Sequence, residues 1–440
     1  MQQKVIIIGG GLAGVEAAYQ VAKSGLKAEI YEMRQIKTTS AHKTDLLAEL
    51  VCSNSLKSFL IENASGILKK EMQVLDSVII NAAYETKVPA GKALAVDRNK
   101  FSNYITNLLN QNANIEIIRE EFSKIPVNLD VPVVIASGPL TSDNLSNEIK
   151  RITDTENLFF YDSISPIIDA ESIDYTKTFA ASRYDYNTSS DGDYINCPQN
   201  KEQYENLVRR IREAEKIEIR EFEKGIYFES CLPVEVIADR GIDTLRFGPL
   251  RPVGLMDPRT KKVPYAVVQL RRENLHGTMY NMVGFQTKLK YPEQRRVFRS
   301  IPGLEKAEFM RYGSVHRNTY INSPSLLEPT LKFINMDLLF FAGQITGVEG
   351  YVESAATGII AGINASRLAM KLDPVKPPSE TAIGSLLRYI TNSELKKFQP
   401  MNINFGLFPP IEKKLNKSQK KKYIYERAIE KIKEFKKLTI

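Results

Sequence analysis

The sequence is poor in the residues that metal centres and disulfide frameworks need. Its 440 residues include three cysteines, Cys52, Cys197 and Cys231, and three histidines, His42, His276 and His316. The cysteines are odd in number and widely spread, with no CxxC pair and no metal-finger spacing, so neither a disulfide scaffold nor a dithiol redox centre is expected. The histidines form no HExxH or other close cluster, which argues against a zinc or iron site. No stretch approaches the roughly 18 uncharged apolar residues of a spanning helix. The start, MQQKVIIIGGG, lacks the basic region, apolar run and cleavage site of a signal peptide. These absences point to a reducing, cytoplasmic setting with free thiols, no membrane and no resident metal.

The composition is that of a globular chain, 43% hydrophobic and 25% charged, and the length suits two domains better than one. The net charge of +8 is concentrated at one end: residues 411–440 hold eleven Lys or Arg against four Glu, a balance of +7. Residues 416–437 have helical composition with a partial apolar stripe. The basic tail is either a solvated helix face or a patch that attracts phosphate backbones.

Val5–Ile8 is a continuous apolar run of the kind a buried parallel strand carries. Gly9, Gly10, Gly11, Leu12, Ala13 and Gly14 follow, with Gly9, Gly11 and Gly14 in GxGxxG spacing, and Leu12–Ser24 has helical character up to Gly25. A second strand, Ala28–Tyr31, ends at Glu32, 23 residues after Gly9. Strand, glycine turn, helix and strand occur in the order a dinucleotide fingerprint requires. Gly9 permits the tight turn, Gly11 the close approach of a pyrophosphate, and Gly14 the packing of helix on sheet; Glu32 is placed to accept from a ribose hydroxyl. The fingerprint alone does not separate FAD from NAD. Leu338–Ala342, followed by Gly343, Gln344 and a Gly- and Ala-rich segment, forms a late strand–Gly–helix unit that returns the chain to the first domain and tips the choice toward FAD. The expected architecture is therefore α/β, a Rossmann-like FAD-binding domain interrupted by a smaller α+β insertion. Residues 1–184 and 301–440 form the FAD-binding parts and 185–300 the inserted domain.

Cys52, in LVCSNS, and Cys231, in FESCLPVEVIADRG, sit in polar surroundings unlike those of a core cysteine, and Arg240, Arg246 and Arg251 are close to Cys231 in sequence. Either is a candidate reactive thiol or a small buried side chain; Cys197 has the weaker claim. By composition alone, Tyr265 and Tyr280 are either stacking residues or ordinary core or surface aromatics, and the pair Arg271–Arg272 is either a phosphate contact or a solvated surface pair.

The chain resembles the folate- and FAD-dependent tRNA uracil-5-methyltransferase family. The resemblance runs almost end to end, through VIIIGGGLAGVEAAYQVAKSG, YEMRQIKTTSAHKTDLLAELVCSNSLKS, IASGPLTS, YFESCLPVEVIADRGIDTLRFGPLRPVGLMDPRT, FFAGQITGVEGYVESAATGIIAG and MNINFGLFPP. The first stretch is common to many flavoproteins; CSNSLKS, CLPVEVIADRG and GQITGVEGYVESAATG are far more specific. The resemblance implies methylation of uridine C5 in the tRNA T loop, with methylenetetrahydrofolate as carbon donor and reduced FAD, recharged by NADH or NADPH, as electron carrier. Cys231 matches the family cysteine favoured as nucleophile, and Cys52 the second functional cysteine, implicated in base activation or proton transfer. A few relatives act on ribosomal RNA instead. The nucleotide fold alone equally suits a small-molecule flavin oxidoreductase, and an RNA-binding protein that merely retains FAD is a third reading.

Overall fold

The protein is described by a computed structural model covering residues 3–39, 41–155, 158–184, 192–217, 232–395, 398–413 and 415–439. Two sheets organise it, each over its own apolar core. The first grows from the sequence's earliest apolar run. The Lys4–Ile8 strand buries Val5, Ile7 and Ile8, as a strand covered on both faces must. It pairs in parallel with Lys27–Tyr31 on one side and Val133–Ile135 on the other, and the sheet extends to Ile115–Ile118 and Leu339–Phe341 at its edges. Leu339 pairs with Val133, so the late strand does return the chain to the first domain, and the α/β expectation is borne out.

The sheet's two ends in sequence are joined by a helix crossing. The fingerprint helix, Leu12–Lys23, packs against the late helix, Tyr351–Ala369. A Cβ on Gly358 would stand 2.2 Å from the Ala13 carbonyl oxygen, and one on Gly362 would stand 2.6 Å from that of Ala17. Small residues one turn apart on both helices thus bring the two backbones into direct contact, which no larger pair would allow.

The chain leaves this domain along Leu158–Ile164 and returns along Ser314–Tyr320. The two strands pair antiparallel along their whole length, Ser314 opposite Ile164 and Tyr320 opposite Leu158. Beyond them lies a six-stranded antiparallel sheet in the order 179–180, 194–199, 266–272, 279–282, 167–169, 309–311. The helices Lys201–Glu213 and Tyr291–Phe298 bury Tyr204, Leu207, Val208, Ile211 and Phe298 in the second core. This sheet takes strands from 167–169, 179–180 and 309–311, all outside the expected 185–300 interval. We propose that the inserted domain spans 165–313, between the two arms of the connecting ladder. Strands of three residues are too short to show a period-two pattern, so sequence periodicity does not mark these ends.

Two fully buried glutamates cap helices that belong to other parts of the chain. Glu16, on the fingerprint helix, accepts from the Ser77 hydroxyl and from the amides of Val78 and Ile79 at the start of the Val78–Glu85 helix. Glu71 accepts from the Ala382 and Ile383 amides, at 2.5 and 2.9 Å, at the start of the Ala382–Ile390 helix. Burial pushes Glu71 up to about 8 and Glu16 up to about 7, although the amides pull the other way. The folded protein therefore retains protons that the unfolded chain releases near pH 4.5. Stability is greatest below that pH for these two groups and falls as pH rises toward 7 and 8. Glu71→Gln should flatten the dependence of unfolding free energy on pH between 5 and 8, by at most about 1.4 kcal/mol per pH unit. Urea melts across that range check it, and parallel curves for variant and parent would refute it.

Candidate functional site

The carboxyl ends of three adjacent parallel strands each run into a turn: Gly9 after the first, Ser137–Gly138 after Val133–Ile135, and Gly343 after Leu339–Phe341. Together they line a cleft of about 990 Å³, at the edge of the sheet where open α/β folds bind ligands. Of the residues expected at a dinucleotide site, Gly9, Gly10, Gly11, Leu12, Ala13, Glu32, Gly343 and Gln344 line it.

Gly14 does not. A Cβ there would lie 1.8 Å from the Gly9 carbonyl oxygen, so its role is contact between helix and turn. Gly9 adopts φ +106°, open to glycine, with the Ala136 carbonyl 2.5 Å from where a Cβ would be. Gly11 differs from both: its φ is −76° and a Cβ would meet nothing within 4 Å. It caps the fingerprint helix without any side-chain hydrogen bond, leaving the first-turn amides to meet an anion.

Glu32 is buried at the cleft wall. Its Oε2 accepts from the Gly10 amide at 2.9 Å and from Arg34 Nη2 at 2.8 Å, and its Oε1 accepts from the Arg34 amide at 2.9 Å. Burial opposes its charge, but the Arg34 guanidinium and the two amides outweigh this and hold the carboxyl below its ordinary range. Oε1 keeps lone-pair capacity for a hydroxyl. Arg34, two residues downstream in YEMR, lies outside the fingerprint. It is almost fully buried, its Nη1 lies 3.6 Å from Glu49 and makes no hydrogen bond, and it too lines the cleft. Open space at Gly11, an uncapped helix start, an ionised Glu32 and an unsatisfied guanidinium nitrogen are what a bound dinucleotide would use, so these residues fit FAD.

The cleft continues. A second volume of about 1,090 Å³ shares Val51, Pro139, Leu140, Gln344 and Tyr351 with it and is also lined by Cys52, Gln286 and Asn318. The Cys52 amide donates to the Tyr351 hydroxyl at 2.6 Å, at the start of the late helix. Cys52 is half-buried, with Arg98, Arg271 and Arg311 in electrostatic reach. Cys231 lies outside the described residues. Three residues downstream, Val234 donates its amide to the Gln286 carbonyl at 2.7 Å, so the chain enters the described part beside a residue that lines the Cys52 volume. Cys197 is a core residue in mid-strand, where burial drives its thiol far up.

Three residues expected to touch RNA are committed elsewhere. Tyr280 is buried in the second core. Tyr265 packs edge-on against Tyr204, with the Arg246 guanidinium 4.2 Å from its ring centre. Arg271 is buried and bonds to Ser53 and Asn54. Composition marks these side chains; their tertiary contacts engage them within the protein. Among the described residues, no group of three His, Cys, Asp or Glu is arranged to hold a metal, and no helix is long and apolar enough to cross a membrane.

The family described as "Glucose inhibited division protein A" matches residues 4–373. The chain belongs to this family. The resemblance read from its motifs is also borne out by individual relatives. A protein of Moorella thermoacetica named methylenetetrahydrofolate–tRNA-(uracil-5-)-methyltransferase TrmFO is 54% identical over 431 residues, covering 98% of each chain. One of the same name from Geobacter sulfurreducens is 54% identical over 430 residues, again 98% of each. Among solved structures, Aquifex aeolicus GidA in its form I crystal superposes with a TM-score of 0.74 at 20% identity, covering all of this chain and 76% of that one; it shares the fold.

The glycines separate two ways of losing the nucleotide. Gly11→Val has room in the folded protein and should leave the melting temperature of flavin-free protein within about 2 °C, since surface changes cost little, while bound FAD falls below one tenth. Gly14→Ala forces helix and turn apart and should lower both. Flavin absorbance and thermal melts of the two variants check this. A Gly11→Val protein with full FAD would remove the pyrophosphate assignment.

Proposed function

We propose that the protein methylates carbon 5 of uridine in the T loop of tRNA, taking the carbon from methylenetetrahydrofolate. The observation that carries the proposal is the union of a dinucleotide cleft with a Cys52-bearing volume through shared walls at Gln344 and Tyr351. Relatives covering 98% of the chain are named methylenetetrahydrofolate–tRNA-(uracil-5-)-methyltransferase, which supports the donor and the tRNA uracil.

The chemistry explains the equipment. Uracil C5 is a weak nucleophile, and addition of a thiolate at C6 makes C5 electron-rich. Cys231 is assigned this addition and Cys52 the removal of the C5 proton, after which the Cys231 thiolate is expelled. FAD, reduced by NADH or NADPH, supplies the two electrons that convert a carbon at the formaldehyde level into a methyl group. For this chain's residues, Gly11 and the helix start bind pyrophosphate, Glu32 and Arg34 hold the ribose end, and Gln344 and Tyr351 stand between the nucleotide and Cys52. The three guanidinium groups near Cys52 favour its thiolate form. Folate and the target uridine enter the Cys52 volume, lined by both domains. The free cysteines suit a reducing cytoplasm.

The basic tail supports RNA as the partner. Its helix, Lys417–Lys436, buries Ile424, Ala428, Ile432 and Phe435 and pairs Lys436 with Asp76 at 2.8 Å. The apolar stripe therefore docks, while Lys420, Lys422 and Lys433 remain exposed. Changing these three to Gln should leave FAD content intact, weaken tRNA binding and reduce its logarithmic salt slope by about 0.7–0.9 for each phosphate that is no longer neutralised. An unchanged slope would leave the helix a solvated face.

The direct test incubates the purified protein with unmodified tRNA, labelled methylenetetrahydrofolate and NADH or NADPH. Label should enter 5-methyluridine without S-adenosylmethionine. With 5-fluorouridine RNA, whose C5 has no proton to lose, a covalent adduct should accumulate and map to Cys231. Cys52→Ala should keep FAD and lose turnover. Oxidation of the nicotinamide without RNA methylation would replace this function with small-molecule flavin oxidation.

A further inference from the structure

The turn that carries Cys52 is held from the inserted domain by three consecutive residues. Arg271, Arg272 and Glu273 lie at the end of the Ala266–Arg272 strand and just beyond it. Arg271 donates from Nη2 to the Ser53 hydroxyl at 2.7 Å and from Nε to the Asn54 side-chain oxygen at 3.0 Å. The Arg272 carbonyl accepts from Asn54 Nδ2 at 3.0 Å. Glu273 accepts from Arg98 Nε at 2.6 Å, and Arg98 donates in turn to the carbonyls of Leu50 and, at 3.2 Å, Cys52. Asn54 is wholly buried and Arg271 nearly so.

The charges make this an expensive way to fasten a loop. Arg98 and Arg271 are both removed from water and face the single Glu273 carboxylate, with Arg311 also in electrostatic reach. Burying like charges is costly unless partners compensate. What Arg adds is a rigid fork reaching two partners together and a fixed positive charge beside Cys52. Among the described residues, Tyr351 at its amide and Lys57 and Glu349 on the wall of the same volume are further ionisable groups near the thiol.

We propose that Arg271 is a positioning residue for the Cys52 thiol: through Ser53 and Asn54 it fixes the Cys52 turn to the inserted domain, and its charge stabilises the thiolate. Placement of Cys52 then depends on how the inserted domain is seated, so that the thiol is correctly aimed only when both walls of the volume are in register. This rests on the methyltransferase function proposed above for its kinetic arm alone.

The test has an arm that needs neither RNA nor folate. Holoenzyme is treated with iodoacetamide over pH 6–9, and alkylation of the Cys52 peptide is followed by mass spectrometry. Arg271→Met should retain FAD, since Arg271 lines neither cleft, and should raise the midpoint of Cys52 alkylation by about one pH unit, the scale of one neighbouring charge. Arg271→Lys should restore the midpoint. In the methylation assay, Arg271→Met should lose on the order of 100-fold in kcat with the KM for tRNA within about threefold, and Arg271→Lys should recover only part of that loss, because it restores the charge and not the fork. If Arg271→Met fails to fold, Ser53→Ala removes one arm of the fork alone and should still lower kcat about tenfold. Wild-type alkylation profiles and kcat in Arg271→Met, or in Ser53→Ala where only that variant folds, would overturn the proposal. A parent enzyme that shows the Cys52 profile but methylates no RNA would instead overturn the proposed function and leave the positioning role standing.

Discussion

The crossing of the fingerprint helix over the late helix is the contact on which the rest of the structure depends. Ala13 and Ala17 meet Gly358 and Gly362 with backbones touching, and this seam joins parts of the chain more than 300 residues apart. Because it closes tightly, the turns at Gly9 and Gly343 come to the same edge of the sheet and form one cleft from two ends of the sequence. Nonlocal contacts of this kind are costly in chain entropy until both halves are present. The antiparallel ladder of 158–164 with 314–320 keeps that cost finite: it brings the two ends of the insertion together, so the second domain hangs on the first like a long hairpin loop.

The same closure decides where chemistry can occur. Tyr351 is the first residue of the late helix, and its hydroxyl receives the Cys52 amide. The helix that completes the nucleotide cleft therefore also places the cysteine. Lys57 pairs with the fully buried Glu353 at 2.7 Å, in the first turn of that helix. The CSNSLKS stretch is thus pinned at both ends, to the late helix by Cys52 and Lys57 and to the inserted domain by Ser53 and Asn54. Motif specificity here follows from geometry: each of these polar residues has a partner from a different part of the chain.

What is legible in the sequence is what local rules control. GxGxxG between an apolar strand and a helix states its own structure, and the separate physical tasks of Gly9, Gly11 and Gly14 reappear in what a Cβ would meet at each. The late strand is visible because Leu339–Phe341 is an apolar run followed by glycine. Arg34, Arg98 and Arg271 are less legible, because nothing in the spacing of an arginine says that it is buried. Arg271 reads as a surface phosphate contact, whereas its side chain points from the strand toward Ser53 and Asn54. Tyr280 reads as a stacking platform, whereas it faces the second core. In both cases tertiary pairing chooses the face of the strand, and a basic pair such as Arg271–Arg272 has no period long enough to reveal it.

Polar groups buried at this depth recur as connectors, and they share a logic. Glu16 and Glu71 each reach from one helix to the start of another, and Glu32 does the same for the turn amide of Gly10. A helix start offers several amides that have no partner within the helix, so a carboxyl group from a distant element satisfies them while fixing the distance between the two elements. Gly11 also starts a helix with no side-chain cap, as happens at Ala64–Val74, Tyr291–Phe298 and Tyr351–Ala369, and it lines the cleft. Buried glutamates reach the starts of Val78–Glu85 and Ala382–Ile390, whereas the fingerprint helix begins at the cleft wall. Because a Cβ on Gly11 would meet nothing within 4 Å and Gly11 lines the cleft, the space beside it is continuous with the cleft rather than a gap in packing.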